Sequence, residues 1–266
     1  MNRMVEICVQ FAAKYYITFN SAKSQCIKFG CCVTVHERVV MNDIDIAWVN
    51  EIKHLGNYLN QTMSDKYDCQ MKISPFYGQV NKLNANFGHL QSTVLGRLFK
   101  TFCCSYYGSQ MWQMSSSYFN NVCTAWNKGV RSMYNLPYTA HRWILGPLLN
   151  QSNIRIQLHR RTACFLHGMS TSCNKIVNAC FSRAVNNANT PIGRNLAYIR
   201  NCYGFNISEE SVNNCRKLII DPRLSAYELG IVRECNMLLL ARSGVFAVDG
   251  FSIDDINVLI SLLTTT

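Results

Sequence analysis

Four side chains with nitrogen or sulphur donors follow one another within a short stretch of the chain: His159, Cys164, His167 and Cys173. These are ligand types that zinc prefers, and Cys164 and His167 could share a helix face with His159. Closed zinc sites normally show paired C-x-x-C or H-x₃₋₅-H spacings, and neither occurs here. We therefore interpret these residues as buried thiols and surface histidines, and we expect no metal site.

An aspartate pair, Asp254-Asp255, has the chemistry to hold metal ions for phosphoryl transfer. No matching carboxylate on a strand precedes it, and Ser252 stands before the two acids and the apolar Ile256. That order is typical of a helix N-cap, which is how we interpret it. The sequence contains no Gly-rich phosphate loop, Ser-His-Asp arrangement or nucleophile elbow.

The charge distribution is uneven along the chain. Residues 69–208 carry fourteen basic residues and no acidic residue, whereas residues 1–68 are balanced and residues 209–266 are net acidic. A segment without carboxylates cannot pair its own cations, and a polyphosphate is the natural counterion. A basic surface that serves only solubility is the alternative, and the complete absence of acid favours nucleic acid.

Composition indicates a globular chain. Of its 266 residues 48% are hydrophobic, and no apolar run is long enough to cross a bilayer. The N-terminal residues lack the pattern of a secretory signal, so we expect an intracellular protein, nuclear or cytoplasmic and not secreted, without a membrane partner. We accordingly interpret the fourteen cysteines as reduced.

The pattern of elements predicts an α+β fold. A helix is expected over residues 2–17, and alternating apolar residues predict short strands from residue 25 to residue 59, with a turn near Asn42-Asp43 and a single last strand over residues 52–59. One face of the first helix is predicted to carry Met4, Ile7, Cys8, Phe11 and Tyr15. Beyond Ser64, a predicted N-cap, the pattern becomes helical to the C-terminus.

Predicted helices end or begin at Pro and Gly, as at Pro137, Gly204, Pro222 and Gly244. The expected helices follow one another: 64–87, a second that begins at residue 92, 118–134, 139–149, 152–169, 173–187, 192–203, 209–219, 223–242 and 252–263. On the second of them we expect an apolar stripe of Val94, Leu95, Leu98, Phe99 and Phe102 capped by Ser92.

Two motifs resemble those of LINE-type (non-LTR, jockey-like) retrotransposon reverse transcriptases. Phe19-Asn20-x-x-Lys23-Ser24-x-Cys26 is similar to the family's motif D, and the segment from Trp48 to Gly56 is similar to motif E, the primer grip. Ile52 and His54 depart from the usual Phe and Tyr of F-K-Y-L-G. Shorter likenesses to the thumb and the region after it lie in residues 76–78, 99–112 and 126–137.

The resemblance covers about residues 1–170 and implies a domain order. Residues 1–62 would be a palm remnant with a small antiparallel sheet, 63–150 a thumb-like helical bundle, and 151–266 a C-terminal helical region. In this family two metal ions held by carboxylates catalyse phosphoryl transfer, and those carboxylates would lie upstream of Met1. We therefore expect this chain alone to be inactive and to need no cofactor, Mg²⁺ being expected only for the full-length enzyme.

The resemblance also assigns residue roles. Lys23 would be the motif D lysine, a general acid in related polymerases, although a solvated lysine is the alternative. The primer-grip-like residues are Lys53, His54, Leu55 and Gly56. The candidate contacts to RNA or an RNA–DNA duplex are cations of the acid-free segment: Lys72, Lys82, Lys100, Lys128, Arg131, Arg160 and Arg161. Interleaved aromatics such as Tyr106 and Tyr107 could stack on bases, although each is expected more often in the core.

Three interpretations of the function remain. The first is a truncated retrotransposon RNA-directed DNA polymerase that lacks its catalytic carboxylates and retains nucleic-acid binding. The second is a degenerate open reading frame or a helical interaction module without activity. The third is a full-length reverse transcriptase whose start has been assigned too far downstream.

Overall fold

The computed structural model describes residues 1–30, 37–140, 142–149, 151–204 and 206–207. Within them the chain divides into two compact units, Met1–Asp68 and a second unit that begins at Cys69. The predicted domain boundaries at 62/63 and 150/151 stay predictions. The helices predicted beyond residue 208, and the Asp254-Asp255 pair, lie outside the described residues.

The first unit combines one helix with short strands, as the α+β prediction requires. The helix α1 spans Asn2–Ala13 and ends four residues earlier than predicted. The strands are β1 (Gln25–Cys26), β2 (Val40–Met41), β3 (Ile44–Asp45), β4 (Ala47–Trp48), β5 (Glu51–His54) and β6 (Asn57–Asn60).

The strands do not form the single antiparallel sheet that was predicted. They form three separate pairs: β1 with β4 is parallel, whereas β2 with β3 and β5 with β6 are antiparallel. The β2–β3 hairpin lies between β1 and β4 in the chain, and β4 runs in the same direction as β1. The predicted turn at Asn42-Asp43 is confirmed, and both residues have the positive φ that a two-residue hairpin turn requires.

The second unit is helical. Its helices are α2 (Lys66–Phe87, which begins in the first unit), α3 (Ser92–Cys103), α4 (Ser117–Met133), α5 (Arg142–Leu148), α6 (Ile154–Ser170), α7 (Lys175–Val185) and α8 (Pro191–Tyr203). Each predicted helix in this range is present. Two caps follow the expected chemistry, since Ser116 accepts the amide of Phe119 and Gly204 ends α8 with a φ of 72°.

An aromatic core holds these helices together. Phe99 of α3 contacts Phe76 of α2 and Trp126 of α4 edge-on, with ring centroids 6.0 and 6.2 Å apart, and all three rings are buried. Edge-to-face contact is the favourable arrangement for such rings. Gly129 lets α4 approach α2, because a Cβ there would lie 2.6 Å from Phe76 Cζ.

Parts of two predicted apolar faces are exposed. On α3, Leu95 and Phe99 are buried, but Val94 and Phe102 face solvent, and Ser92 begins the helix without capping it. The predicted face of the first helix is exposed at Met4, Ile7, Phe11 and Tyr15, because the described residues of the first unit pack no core against it. Periodicity locates an apolar stripe, but it does not supply the neighbour that covers the stripe.

Candidate nucleic-acid interface

The loop between α3 and α4 is contacted by two cations from distant parts of the sequence. Lys72 Nζ of α2 donates to the carbonyl of Tyr107 at 2.6 Å and lies 5.2 Å from the centroid of the Trp112 ring. Arg161 Nη1 of α6 donates to the carbonyl of Tyr106 at 3.2 Å. Two consecutive carbonyl groups of one loop thus accept hydrogen bonds from a lysine and an arginine.

A third cation, Lys100, belongs to the same region. Burial raises the pKa of the Cys104 thiol to about 12, while the positive charges of Arg161 and Lys100 act in the opposite direction. Lys100 stands in the last turn of α3, four residues before Cys104, and Arg161 is bonded to the Tyr106 carbonyl two residues after it. We call Lys72, Lys100 and Arg161, with the loop residues 104–108 between them, the basic loop cluster.

Around the basic loop cluster, the described residues of the second unit supply no carboxylate. The segment 69–207 contains no Asp or Glu. The ion pairs Met1–Glu37 and Arg38–Asp45 lie in the first unit. Arginine has five N–H donors, so the bond to Tyr106 leaves Arg161 able to donate to an anion as well.

At this loop one aromatic side chain is buried and others are exposed to solvent. Tyr106 is buried, whereas Tyr107 is 60% exposed and Phe102, at the end of α3, is 57% exposed. Of the other aromatics in the acid-free segment, Phe76, Trp126 and Tyr134 are buried, whereas Tyr77 is half-buried and Phe87 is exposed. The structure thus distinguishes Tyr107 from the rings that form the core.

The remaining predicted cations are distributed differently. Arg131 donates through Nε and Nη2 to the carbonyl of Ala140 at 3.1 and 2.6 Å, and its burial lowers its pKa. Arg160 Nη1 donates to Ser152 Oγ at 2.9 Å. These bonds hold the ends of α4 and α6 to neighbouring loops. Lys82 and Lys128 are exposed on α2 and α4.

The motif residues of the first unit lie on turns. The Asn20 side chain accepts the amide of Lys23 at 3.1 Å, and Lys23 itself is exposed. Leu55 and Gly56 form the β5–β6 turn with φ of 46° and 82°. Lys53 and His54 are exposed at the end of β5, and Lys53 Nζ lies 5.2 Å from the centroid of the Tyr58 ring.

The zinc-type residues are not arranged around a common point. His159 Nδ1 shares a hydrogen bond with the Tyr203 hydroxyl at 2.7 Å, and His167 Nδ1 lies 3.1 Å from the Ile207 carbonyl. Both histidines are buried, so their expected place on the surface is wrong. Among the described residues, no three His, Cys, Asp or Glu side chains are placed as metal ligands would be.

Sequence reasoning omitted four exposed cations of α7 and α8: Lys175, Arg183, Arg194 and Arg200. These four cations lie within residues 69–208, so the lack of acidic residues in that segment was the signal that could have identified them. It could not select the basic loop cluster, because its members come from three helices. Nor could alternation or helical periodicity show that Tyr107 points outward from an irregular loop.

No protein-family model, curated protein or solved structure matches this chain. The resemblance to LINE-type reverse transcriptases therefore stays a prediction. In the part of the chain that the structure describes, no helix is both long enough and apolar enough to cross a membrane.

Proposed function

We propose that the second unit binds nucleic acid through the basic loop cluster. The observation that carries the proposal is the convergence of Lys72, Lys100 and Arg161 on one loop in a segment that has no carboxylate. A phosphate backbone that binds at these cations would release its own counterions, which favours binding. The exposed ring of Tyr107 adds a surface on which a base can stack.

The parent activity that we propose is RNA-directed DNA polymerisation by a LINE-type retroelement. The support is the order of the motif D-like and motif E-like segments and their position on turns: the capped turn at Asn20–Lys23 and the hairpin turn at Leu55–Gly56. On this proposal the first unit is a palm remnant, and the helices from α2 onward are the thumb and the following region. Translation of the genomic DNA upstream of Met1 separates the interpretations: an open frame with Tyr/Phe-x-Asp-Asp shortly before Met1 supports the full-length reverse transcriptase, whereas stop codons leave the truncated polymerase and the inactive module.

The binding proposal predicts a salt-dependent interaction that does not depend on base sequence. Each neutralised phosphate contributes a slope of about −0.9 to log K against log salt on duplex DNA, so three cations give about −2 to −3. The measurement is fluorescence anisotropy of labelled RNA–DNA duplexes at salt concentrations between about 50 and 300 mM. We expect duplexes of different sequence to bind with similar affinity, because phosphate contacts carry no base information.

A double variant locates the interface. Lys72→Gln with Arg161→Gln removes two charges but keeps side-chain donors for the loop carbonyls. We expect it to weaken binding at least about tenfold at 0.1 M salt and to flatten the slope by about two units.

The matched control is Lys175→Gln with Arg183→Gln, which removes one lysine and one arginine charge from the exposed face of α7. We expect a change in affinity below about threefold, with both double variants showing cooperative thermal unfolding. Equal losses of affinity in the two double variants would show that binding depends on the overall charge and not on the basic loop cluster. An affinity that does not change with salt concentration, or no binding at all, would favour the inactive helical module and contradict the proposal.

A further inference from the structure

The Tyr107 side chain is placed on the solvent side of the same loop to which the cations bind. Its carbonyl oxygen is the acceptor for Lys72 Nζ, and the carbonyl of its buried neighbour Tyr106 is the acceptor for Arg161. The ring of Tyr107 is 60% exposed. The backbone of one residue thus fixes a cation while its side chain presents a flat aromatic face to solvent.

Hydrogen bonds on both sides restrict the backbone of this loop. Ser109 donates its amide to the Tyr106 carbonyl at 3.2 Å, and Trp112 donates its amide to the Ser109 carbonyl at 3.1 Å. Gly108 takes the left-handed conformation, with a φ of 80°, directly after Tyr107. A ring on a restrained backbone loses little conformational freedom when a ligand stacks on it, because a tyrosine side chain has only two χ angles.

An exposed aromatic ring beside cations suits an unpaired nucleotide better than it suits a duplex. An unpaired nucleotide offers both a free base face and an anionic phosphate, whereas the base faces inside a duplex are covered by their neighbours. Phosphates alone would need the cations but not the ring. The partner that uses every exposed group of the basic loop cluster is therefore a strand with unpaired bases.

We propose that the basic loop cluster binds single-stranded nucleic acid, with an unpaired base stacked on Tyr107 and its phosphates at Lys72 and Arg161. This inference rests on the proposed function and narrows it from any phosphate backbone to unpaired strands. Base stacking tolerates every base, so no sequence preference is expected from Tyr107. The strand can be RNA or DNA, because neither the ring nor the cations read the 2′-hydroxyl group.

The experiment compares two ligands and three variants by fluorescence anisotropy at fixed salt. The ligands are a blunt RNA–DNA duplex and the same duplex with a single-stranded extension of about ten nucleotides. The variants are Tyr107→Ala, Tyr107→Phe, which keeps the ring, and Tyr138→Ala, which removes a more exposed tyrosine, 89% accessible, from the loop before α5. Tyr107→Ala changes an exposed side chain and leaves the carbonyl that Lys72 needs.

We expect the wild-type chain to prefer the extended duplex, and Tyr107→Ala to weaken that complex by about 5- to 150-fold, which is the usual range for one stacked base. The blunt duplex should bind Tyr107→Ala as it binds the wild type. Tyr107→Phe and Tyr138→Ala should resemble the wild type on both ligands.

Two results would overturn the inference in different ways. If Lys72→Gln with Arg161→Gln weakens binding but Tyr107→Ala has no effect, or has the same effect on both ligands, stacking is wrong and the binding proposal stands. If the wild-type chain binds neither ligand, the inference and the proposed function both fail.

Discussion

His159 of α6 is a titratable residue enclosed by aromatic rings. It stacks on Phe119 with 5.6 Å between ring centroids, and Tyr198 and Tyr203 contact it edge-on. Only 2% of His159 is exposed, and its Nε2 has no hydrogen-bond partner among the described residues. An imidazolium has two N–H donors, so protonation would leave a buried donor unsatisfied. Burial first, and then the charge of Arg155, lowers the pKa of His159 to about 3.

This environment predicts that acid destabilises the second unit. In the unfolded chain a histidine binds a proton near pH 6.5, whereas folded His159 stays neutral until the pH approaches 3. Between these values the unfolded state binds more protons, so the free energy of unfolding falls as the pH falls, by about 1.4 kcal/mol per pH unit. The stabilising contribution is fully present above pH 6.5. Urea denaturation at pH 6, 5 and 4 measures the slope.

The variant His159→Phe keeps a ring on Phe119 and removes the titration, so its free energy of unfolding should depend less on pH than that of the wild type. His89→Gln, at an exposed histidine, is the matched substitution against which the slope of His159→Phe is compared. An unchanged slope in His159→Phe would show that this residue does not titrate on unfolding.

Residue types in the sequence predicted the chemistry of this site only in part. His159 and His167 were recognisable as possible ligands, but their burial depends on α8 and on Ile207, which contact them from a distant part of the chain. Likewise Lys72 and Arg161 were recognised as cations, whereas their meeting at one loop follows from the contacts that α2 and α6 each make with that loop. Local sequence gives the functional groups of a residue and does not give its tertiary partners.

Two glycines on neighbouring helices have opposite environments. A Cβ at Gly129 of α4 would lie 2.6 and 2.8 Å from ring atoms of Phe76, which is closer than real Cβ contacts. A Cβ at Gly168 of α6 would meet nothing within 4 Å. Glycine is therefore required for packing at position 129, and at position 168 it only weakens the helix.

These environments predict opposite effects of one substitution. Gly129→Ala should lower the free energy of unfolding by about 1–3 kcal/mol, since Phe76 sits in a filled core and cannot move without strain. Gly168→Ala should raise it by about 0.5–1 kcal/mol, because alanine loses less backbone entropy in a helix. Urea denaturation of both variants gives the two values. Stabilisation by Gly129→Ala would mean that α2 and α4 are not in close contact.

Helix boundaries were the best-predicted elements, because Pro, Gly and capping residues mark them locally. Thr190 caps α8 ahead of Pro191, and Asn174 caps α7. The strands were predicted less well, since β5 and β6 were expected as one strand. Leu55 adopts a positive φ that leucine rarely takes, and therefore residue type did not indicate the turn there.

At the scale of the whole chain, the two units differ in how much apolar surface they bury. The described part of the first unit has three buried apolar side chains, Ala12, Val39 and Ile46. The second unit has a continuous core that extends from α2 to α8. Apolar burial is the main stabilising contribution, so the first unit should open at a lower free energy than the second.

Limited proteolysis tests this difference. We expect early cleavage before residue 69 and a persistent fragment that contains α2 to α8, identified by mass spectrometry. The double variant Ile7→Gln/Phe11→Gln should reduce aggregation without lowering the thermal stability, because both side chains are already exposed on α1. Early cleavage within α4 or α6, with residues 1–60 protected, would contradict the expected order.

The lack of carboxylates in residues 69–207 determines how this surface would respond to acidification. In most basic proteins, protonation of nearby carboxylates breaks ion pairs and changes which cations are available. Here histidine protonation can only add positive charge, because the segment has no carboxylate to neutralise. While the fold persists, a bound polyanion would be retained, not released, in an acidified compartment. Its release would require competing ions or a covalent loss of lysine charge, such as acetylation.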